Sequence, residues 1–266
     1  MNYLIKNGFL VVACSIGVGL SQSSIAADGM PTDTATATID WSQLELSVTG
    51  VNDTVPTVVF SGQNTSLSSY ASSPGLNESN SKSVNNWSAT AETNADAGTT
   101  YANAMASPLD FSGSAISMEN GSTSASGNRT VNFSFDGPGV LTVTVPYSIT
   151  LTGDSSCYYC YNYDHASVSG HASFNSYADN GSSSSHSNAS FSLENSYWHS
   201  SPESQSGTLV FGIFASGAGH GSLGVNFDLS AQGVSPVPEP ESYAMLLAGL
   251  GLMGTVVRRR SVGRNA

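Results

Sequence analysis

Cys157 and Cys160 stand two residues apart in a tyrosine-rich run, Cys157-Tyr158-Tyr159-Cys160-Tyr161, with Tyr163, His165 and His171 close behind. Three chemistries suit such a pair. In an oxidising compartment it forms a local disulfide, whose small loop restrains the unfolded chain little and shapes a turn more than it stabilises a fold. Thiol exchange would need a helix N-terminus to lower one thiol pKa, and no helical pattern follows. Zinc would need two more ligands, which His165 and His171 supply only as scattered neighbours. The disulfide Cys157–Cys160 is therefore the expectation, with no metal and no cofactor. Tyr158, Tyr159, Tyr161 and Tyr163 offer rings either for stacking on sugars or for packing against the end of the fold.

Other candidates for chemistry are weaker. Gly153-Asp154-Ser155-Ser156 resembles the opening block of GDSL-type lipases, but the companion Asp-x-x-His is absent and a turn after a strand explains the residues. The histidines at 165, 171, 186, 199 and 220 fall into no triad spacing, and no calcium loop of the D-x-[DN]-x-[DN]-G type occurs. With no assignable carboxylate pair or nucleophile, the expectation is a protein that is not an enzyme.

The elements that must position these residues are strands. Leu141, Val143, Val145, Tyr147, Ile149 and Leu151 alternate with small polar residues, a period of two that only a half-buried strand has. Val131, Phe133 and Phe135 precede that run across Asp136-Gly137-Pro138-Gly139, which reads as a hairpin. Pro146, which lacks a ladder donor, suggests an edge position or a bulge. Further runs lie at Val168–Phe174, Ala189–Leu193, Leu209–Phe214 (apolar on both faces, as in a central strand), Leu223–Leu229, Ile39–Val48 and Thr54–Phe60, about eight strands in all. Residues 61–128 carry isolated aromatics among Ser, Asn, Thr and Ala, and read as short irregular strands or long loops of the same domain. The expected fold is all-β, an antiparallel β-sandwich or jelly-roll-like domain over residues 28–234.

Composition agrees. Of 266 residues 49 are Ser, 20 Asn and 27 Gly, and only 10% are charged. The net charge of -12 removes any electrostatic reason to bind nucleic acid. The basic residues are concentrated at the ends, so residues 28–237 keep Lys82 and Arg129 alone against 17 acidic residues, a net of -15. At the start, Lys6, the apolar stretch Phe9–Leu20 and Ile25-Ala26-Ala27 have the three-part layout of a secretory signal peptide, with cleavage expected after Ala27. A lipoprotein box at Val11-Val12-Ala13-Cys14 would cut inside the apolar run.

At the other end, Val237-Pro238-Glu239-Pro240 precedes an uncharged stretch, Tyr243–Val257, and the cluster Arg258-Arg259-Arg260. Fifteen residues make a helix of about 22 Å against ~30 Å of hydrocarbon, short but usable because Arg side chains snorkel. A trailing arginine cluster is a stop-transfer signal, which would hold that end in the cytoplasm and leave the rest outside it. The order of proline motif, apolar helix with Leu246-Leu247-Ala248-Gly249-Leu250-Gly251-Leu252, and arginine run resembles the PEP-CTERM sorting signal of Gram-negative bacteria over residues 235–266. The resemblance implies recognition by a membrane-embedded exosortase and processing near Pro238-Glu239-Pro240. It implies transient anchoring in the inner membrane and then delivery to the cell surface or an exopolysaccharide matrix. A plain single-pass tail anchor is the alternative that composition alone allows. Functionally, the expectation is a structural or interaction protein associated with exopolysaccharide, and the alternative is a carbohydrate-binding or carbohydrate-active module with its site at the tyrosines.

Overall fold

A computed structural model describes residues 32–51, 54–118, 120–153, 164–178, 181–194 and 203–233. The chain divides at Ser235 into two units, 1–234 and 235–266, and every described residue lies in the first. Alternation of small polar and apolar residues makes thirteen strands there. They are β1 (Thr32–Asp40), β2 (Glu45–Gly50), β3 (Val58–Ser73), β4 (Leu76–Val84), β5 (Ala91–Asp96), β6 (Thr100–Ala106), β7 (Asp110–Met118), β8 (Ser122–Phe135), β9 (Gly139–Thr152), β10 (His165–Ala178), β11 (Gly181–Glu194), β12 (Glu203–Ala215) and β13 (Gly219–Gln232). The only helical element among the described residues is a 3-10 turn at Trp41–Gln43, so no helix there is long and apolar enough to cross a membrane.

The strands pair antiparallel in two sheets. One has the order β12-β9-β1-β7-β6-β5 with β2 beside β9; the other is β11-β10-β13-β8-β3-β4. A common core draws on both, including Ile39, Leu141, Val143 and Ile149 from the first and Val131, Phe174, Leu223 and Leu229 from the second. This is the sandwich that half-buried strands require, with more strands than an eight-stranded jelly roll.

Several expectations are corrected. The described residues form thirteen strands, not about eight, because residues 61–128 hold most of β3, all of β4 to β7 and half of β8. Their inward residues are small: Ala91, Thr93 and Ala95 on β5, and Ala102, Ala104 and Ala106 on β6, all buried. Alanine and threonine give no hydropathy contrast with serine and asparagine, so the period is present in the fold and weak in the sequence. The run Ile39–Val48 is also two strands. Asp40 breaks it by accepting from the Ser42 N–H (3.2 Å) and hydroxyl (2.5 Å), which winds the turn that buries Trp41.

The expected hairpin of β8 with β9 does not form. β8 pairs β13 and β3 in one sheet, whereas β9 pairs β12, β1 and β2 in the other, so Asp136–Pro138 carries the chain across the sandwich. Asp136 fixes that crossing by accepting from Thr57 N–H at 2.7 Å. Alternation defines which face is buried and is silent on whether the next strand lies beside or opposite.

Leu209–Phe214 is likewise an edge strand, not a central one, and leaves Val210 57% and Phe214 53% exposed. Its outward N–H groups are met by β11 hydroxyls, Gly212 to Ser187 Oγ at 3.3 Å and Phe214 to Ser185 Oγ at 3.4 Å. On the far side, Asp96 N–H of edge strand β5 donates to Glu78 of β4 at 3.0 Å. Both edges of the larger sheet are thus capped by side chains of the smaller, which blunts them for pairing with other chains. Because Gly212 and Phe214 donate away from β9, ladder alternation turns the Pro146 nitrogen toward β1 and β2. There the pairing of β1 with β9 stops at Ile39 and Tyr147 and that of β2 begins at Glu45 and Thr144, so the missing N–H falls at a break in the ladder. Pro146 is therefore accommodated in a central strand, the irregularity lying in its neighbour.

Arg129 is the largest fully buried side chain. It points inward from β8, and among the described residues no carboxylate pairs with it. Its guanidinium lies 4.5 Å from the Trp41 ring centroid and 5.1 Å from that of Phe111. Nη2 donates to the carbonyls of Ser107 (2.7 Å) and Trp87 (3.5 Å), while Nε and Nη1 have no partner among the described residues. One cation therefore gathers the β1–β2 turn, the β4–β5 loop and the β6–β7 loop. Burial lowers its pKa to about 10.

The small-residue end of the sandwich also contains the buried hydroxyls of Thr93 and Thr100, neither with a hydrogen-bond partner among the described residues. An unpaired buried hydroxyl costs about 1–3 kcal/mol. Thr93→Val and Thr100→Val should each raise stability by about 1 kcal/mol, read as a higher midpoint in urea unfolding with unchanged slope. A drop in either midpoint would mean that the hydroxyl has a partner such as a buried water.

Candidate functional site

The outer face of the six-stranded sheet is the most distinctive surface of the described residues. Strand pairing sets its side chains in rows across all six strands. One row runs Ser190, Ser169, Asn226, Asn128, Ser66 and Ser83; the next runs Ser192, Ser167, Asp228, Ser126, Ser68 and Ser81. At ~4.8 Å between strands, each row is a ladder of hydroxyl and amide groups about 24 Å long. Tyr70 and Tyr177 are the aromatic rings exposed on this face, 38% and 68%.

Four of the five histidines, which show no spacing pattern in the sequence, share this face, spread along its strands: His165 and His171 on β10, His220 on β13 and His186 on β11. Counting by two along each strand would have placed them there. His165 Nδ1 stands 3.7 Å from Glu194. The His171 ring lies over Gly224, where a Cβ would stand 2.5 Å from it, and His220 meets the Tyr177 ring at 6.4 Å. Among the described residues no three metal-ligating side chains converge. Asp228 carries the central carboxylate of the face. Burial among its neighbours raises its pKa, and His165 acts in the opposite direction.

Of the residues singled out from the sequence, His165 and His171 lie on this face. Cys157, Cys160, Tyr158, Tyr159, Tyr161 and Tyr163 lie outside the described residues, as do Asp154 and Ser155. Their segment joins β9 to β10, and the first described residue after it, Asp164, is buried and accepts from Gln232 N–H at 2.9 Å. The signal segment 1–27, Val237 to Pro240, the apolar stretch 243–257 and Arg258 to Arg260 are likewise outside the described residues.

For the C-terminal segment the comparison with protein families is decisive: the model of the PEP-CTERM protein-sorting motif matches residues 236–260. The chain carries a PEP-CTERM sorting signal. The match spans the proline motif, the apolar stretch and the arginine cluster, and it implies targeting to an exosortase and sorting to the cell surface or extracellular space. No curated protein and no solved structure matches the chain.

Proposed function

We propose that this is a non-enzymatic protein of the cell surface or extracellular matrix, delivered by its PEP-CTERM signal and retained by association with exopolysaccharide. The signal peptide would start export, and the apolar helix 243–257 would hold the chain in the inner membrane until processing near Pro238-Glu239-Pro240. The observation that carries the polysaccharide half is the outer face of the six-stranded sheet. Its rows of Ser, Asn, Thr and His exchange hydrogen bonds in both directions, as sugar hydroxyls do. A surface with almost no lysine and a net charge of -15 over residues 28–237 favours an uncharged polymer over nucleic acid or anionic lipid.

The test is fractionation of the native cells with the wild-type chain and with Pro238, Glu239 and Pro240 all replaced by Ala. The wild type should be found outside the inner membrane, shortened at its C-terminus by mass spectrometry. The triple variant should stay in the inner membrane at the mass left by signal-peptide removal. Identical size and location of the two would remove the processing step from the proposal. Washing the cells with a glycosidase that dissolves the matrix should release the wild type; full retention would remove the polysaccharide association.

A further inference from the structure

Within the Ser/Asn face one region differs from the rest. Toward β10 the small side chains satisfy each other. Ser169 Oγ donates to Asn226 Oδ1 at 2.9 Å, the Ser173 and Ser222 hydroxyls meet at 3.0 Å, and Ser167 Oγ donates to the Asp228 carbonyl at 3.4 Å. Toward β4 the face dips into a groove of about 510 Å³ that crosses β13, β8, β3 and β4. Ser66, Ser68, Ser81, Ser126, Asn128 and Asp228 line it. The side chains of Ser66, Ser68, Ser81, Ser126 and Asn128 make no hydrogen bond to other described residues, so their donors and acceptors are open to a ligand. Its volume is within the ~300–1,000 Å³ range of small-molecule sites. Four strands at ~4.8 Å make it about 14 Å across, a length suited to a stretch of polymer.

Two further features mark the groove. Asp228 places a partly desolvated carboxylate among the hydroxyls, with two oxygens able to accept from adjacent ligand donors. Tyr70 stands on the same face two residues beyond Ser68, paired with Ser124 and Ser79, and leaves its ring 38% exposed beside the groove. No lysine or arginine lines it. Lys82, the cation of β4, pairs with Leu67 and so alternates to the opposite face, while Arg129 is buried in the core.

We propose that this groove is a binding site for a neutral glycan chain. Asp228 accepts hydrogen bonds from a vicinal pair of sugar hydroxyls, the serines and Asn128 exchange bonds with the hydroxyls beside them, and Tyr70 offers its ring to the apolar face of a sugar. Hydrogen bonds to a carboxylate are the stronger ones, so Asp228 sets orientation and the serines follow the chain. An anionic polymer would meet Asp228 and the acidic surface with nothing to neutralise it. The proposal rests on the polysaccharide reading above and gives it a location.

The experiment is affinity electrophoresis of the mature protein from its own cells in gels containing dextran, hydroxyethyl cellulose or alginate. At least one neutral polymer should retard the wild type, and alginate should not. Asp228→Ala and Tyr70→Ala should each lower the apparent affinity at least tenfold, Asp228→Asn should lie between them and the wild type, and Tyr101→Ala on the opposite sheet should leave it unchanged. Unfolding midpoints equal to the wild type show that the variants are folded. Equal retardation of all variants would overturn the groove, as would preference for alginate or no retardation by any neutral polymer. In the cells, Asp228→Ala still held in a glycosidase-sensitive matrix fraction would overturn the groove alone. A wild type that glycosidase fails to release would instead overturn the underlying reading.

Discussion

Arg129→Ala should lower stability by about 3–5 kcal/mol, whereas Arg129→Met should change it by less than about 1 kcal/mol. The alanine variant leaves a large hole between Trp41 and Phe111 and strands the Ser107 carbonyl, which now accepts at 2.7 Å. Methionine keeps the unbranched stem and fills most of the volume, while it loses the guanidinium with its ring contacts and its bonds to the two carbonyls. What it gains is release from burying an unpaired cation. A pKa lowered from the ordinary guanidinium value to about 10 corresponds to about 3 kcal/mol of unfavourable desolvation. Cation–π contacts of about 1–2 kcal/mol each and the carbonyl bonds offset that. Arg129→Lys should be worse than Met, because a compact ammonium keeps the charge and cannot lie flat on Trp41 while reaching two carbonyls. Urea denaturation of the three variants checks the order; methionine falling as far as alanine would mean that the charge itself holds the three loops.

The same burial sets a pH signature. Arg129 binds its proton less well folded than unfolded, so its penalty is complete well below pH 10 and fades as pH rises through about 10 toward the ordinary guanidinium value. Wild type should therefore gain on Arg129→Met by about 1 kcal/mol between pH 8 and pH 11, with no change in their difference between pH 6 and pH 8. A constant difference throughout would place the folded pKa at its ordinary value.

How far the fold was legible follows from side-chain size. Strands whose inward residues are Leu, Val, Ile or Phe, such as β9 and β13, stand out at a period of two. Strands whose inward residues are Ala and Thr, such as β5 and β6, do not, although they are as regular in the structure. Pairing was less legible than strand existence. The short turns after Phe135 and Ala215 both carry the chain between sheets, since β12 and β13, like β8 and β9, lie in different ones. A short polar turn closes a hairpin and crosses a thin sandwich equally well. Arg129 shows the same limit. In sequence it is one of two basic residues in a polar stretch, and only its odd position on β8, in phase with Val131 and Phe133, points inward.

The candidate site divides in the same way. The sorting signal is a contiguous string of residue types read in order by a membrane enzyme, so it was legible without any structure and the family match covers it. The groove proposed to bind glycan is assembled from four strands whose residues are up to 162 positions apart, from Ser66 to Asp228, and each taken alone is an ordinary polar residue. What distinguishes it is which hydroxyls remain unpaired, a property of strand register.

Phe227→Ala should cost about 3–5 kcal/mol, the other large effect in this core, and its coupling to glycine is the more informative measurement. Phe227 packs against Phe111 with centroids 4.9 Å apart and the rings tilted by 59°, one ring from each sheet. Gly113 on β7 and Gly127 on β8 make the room: a Cβ at Gly113 would stand 2.5 Å from Phe227, and one at Gly127 would stand 2.6 Å from Phe111 and run into Phe227. Gly127→Ala alone should thus destabilise by about 1–3 kcal/mol through overpacking, although alanine is otherwise the better strand residue. Phe227→Leu alone should cost about 1–2 kcal/mol by leaving a partial void. Together they should cost less than their sum by about 1 kcal/mol or more, because the added methyl occupies the space that the smaller side chain vacates. Strict additivity in the double-mutant cycle would show that the backbone shifts to admit the Cβ. The small residues of this protein would then be a matter of composition, where an unfavourable Gly127→Ala relieved by Phe227→Leu makes them the counterpart of its buried rings.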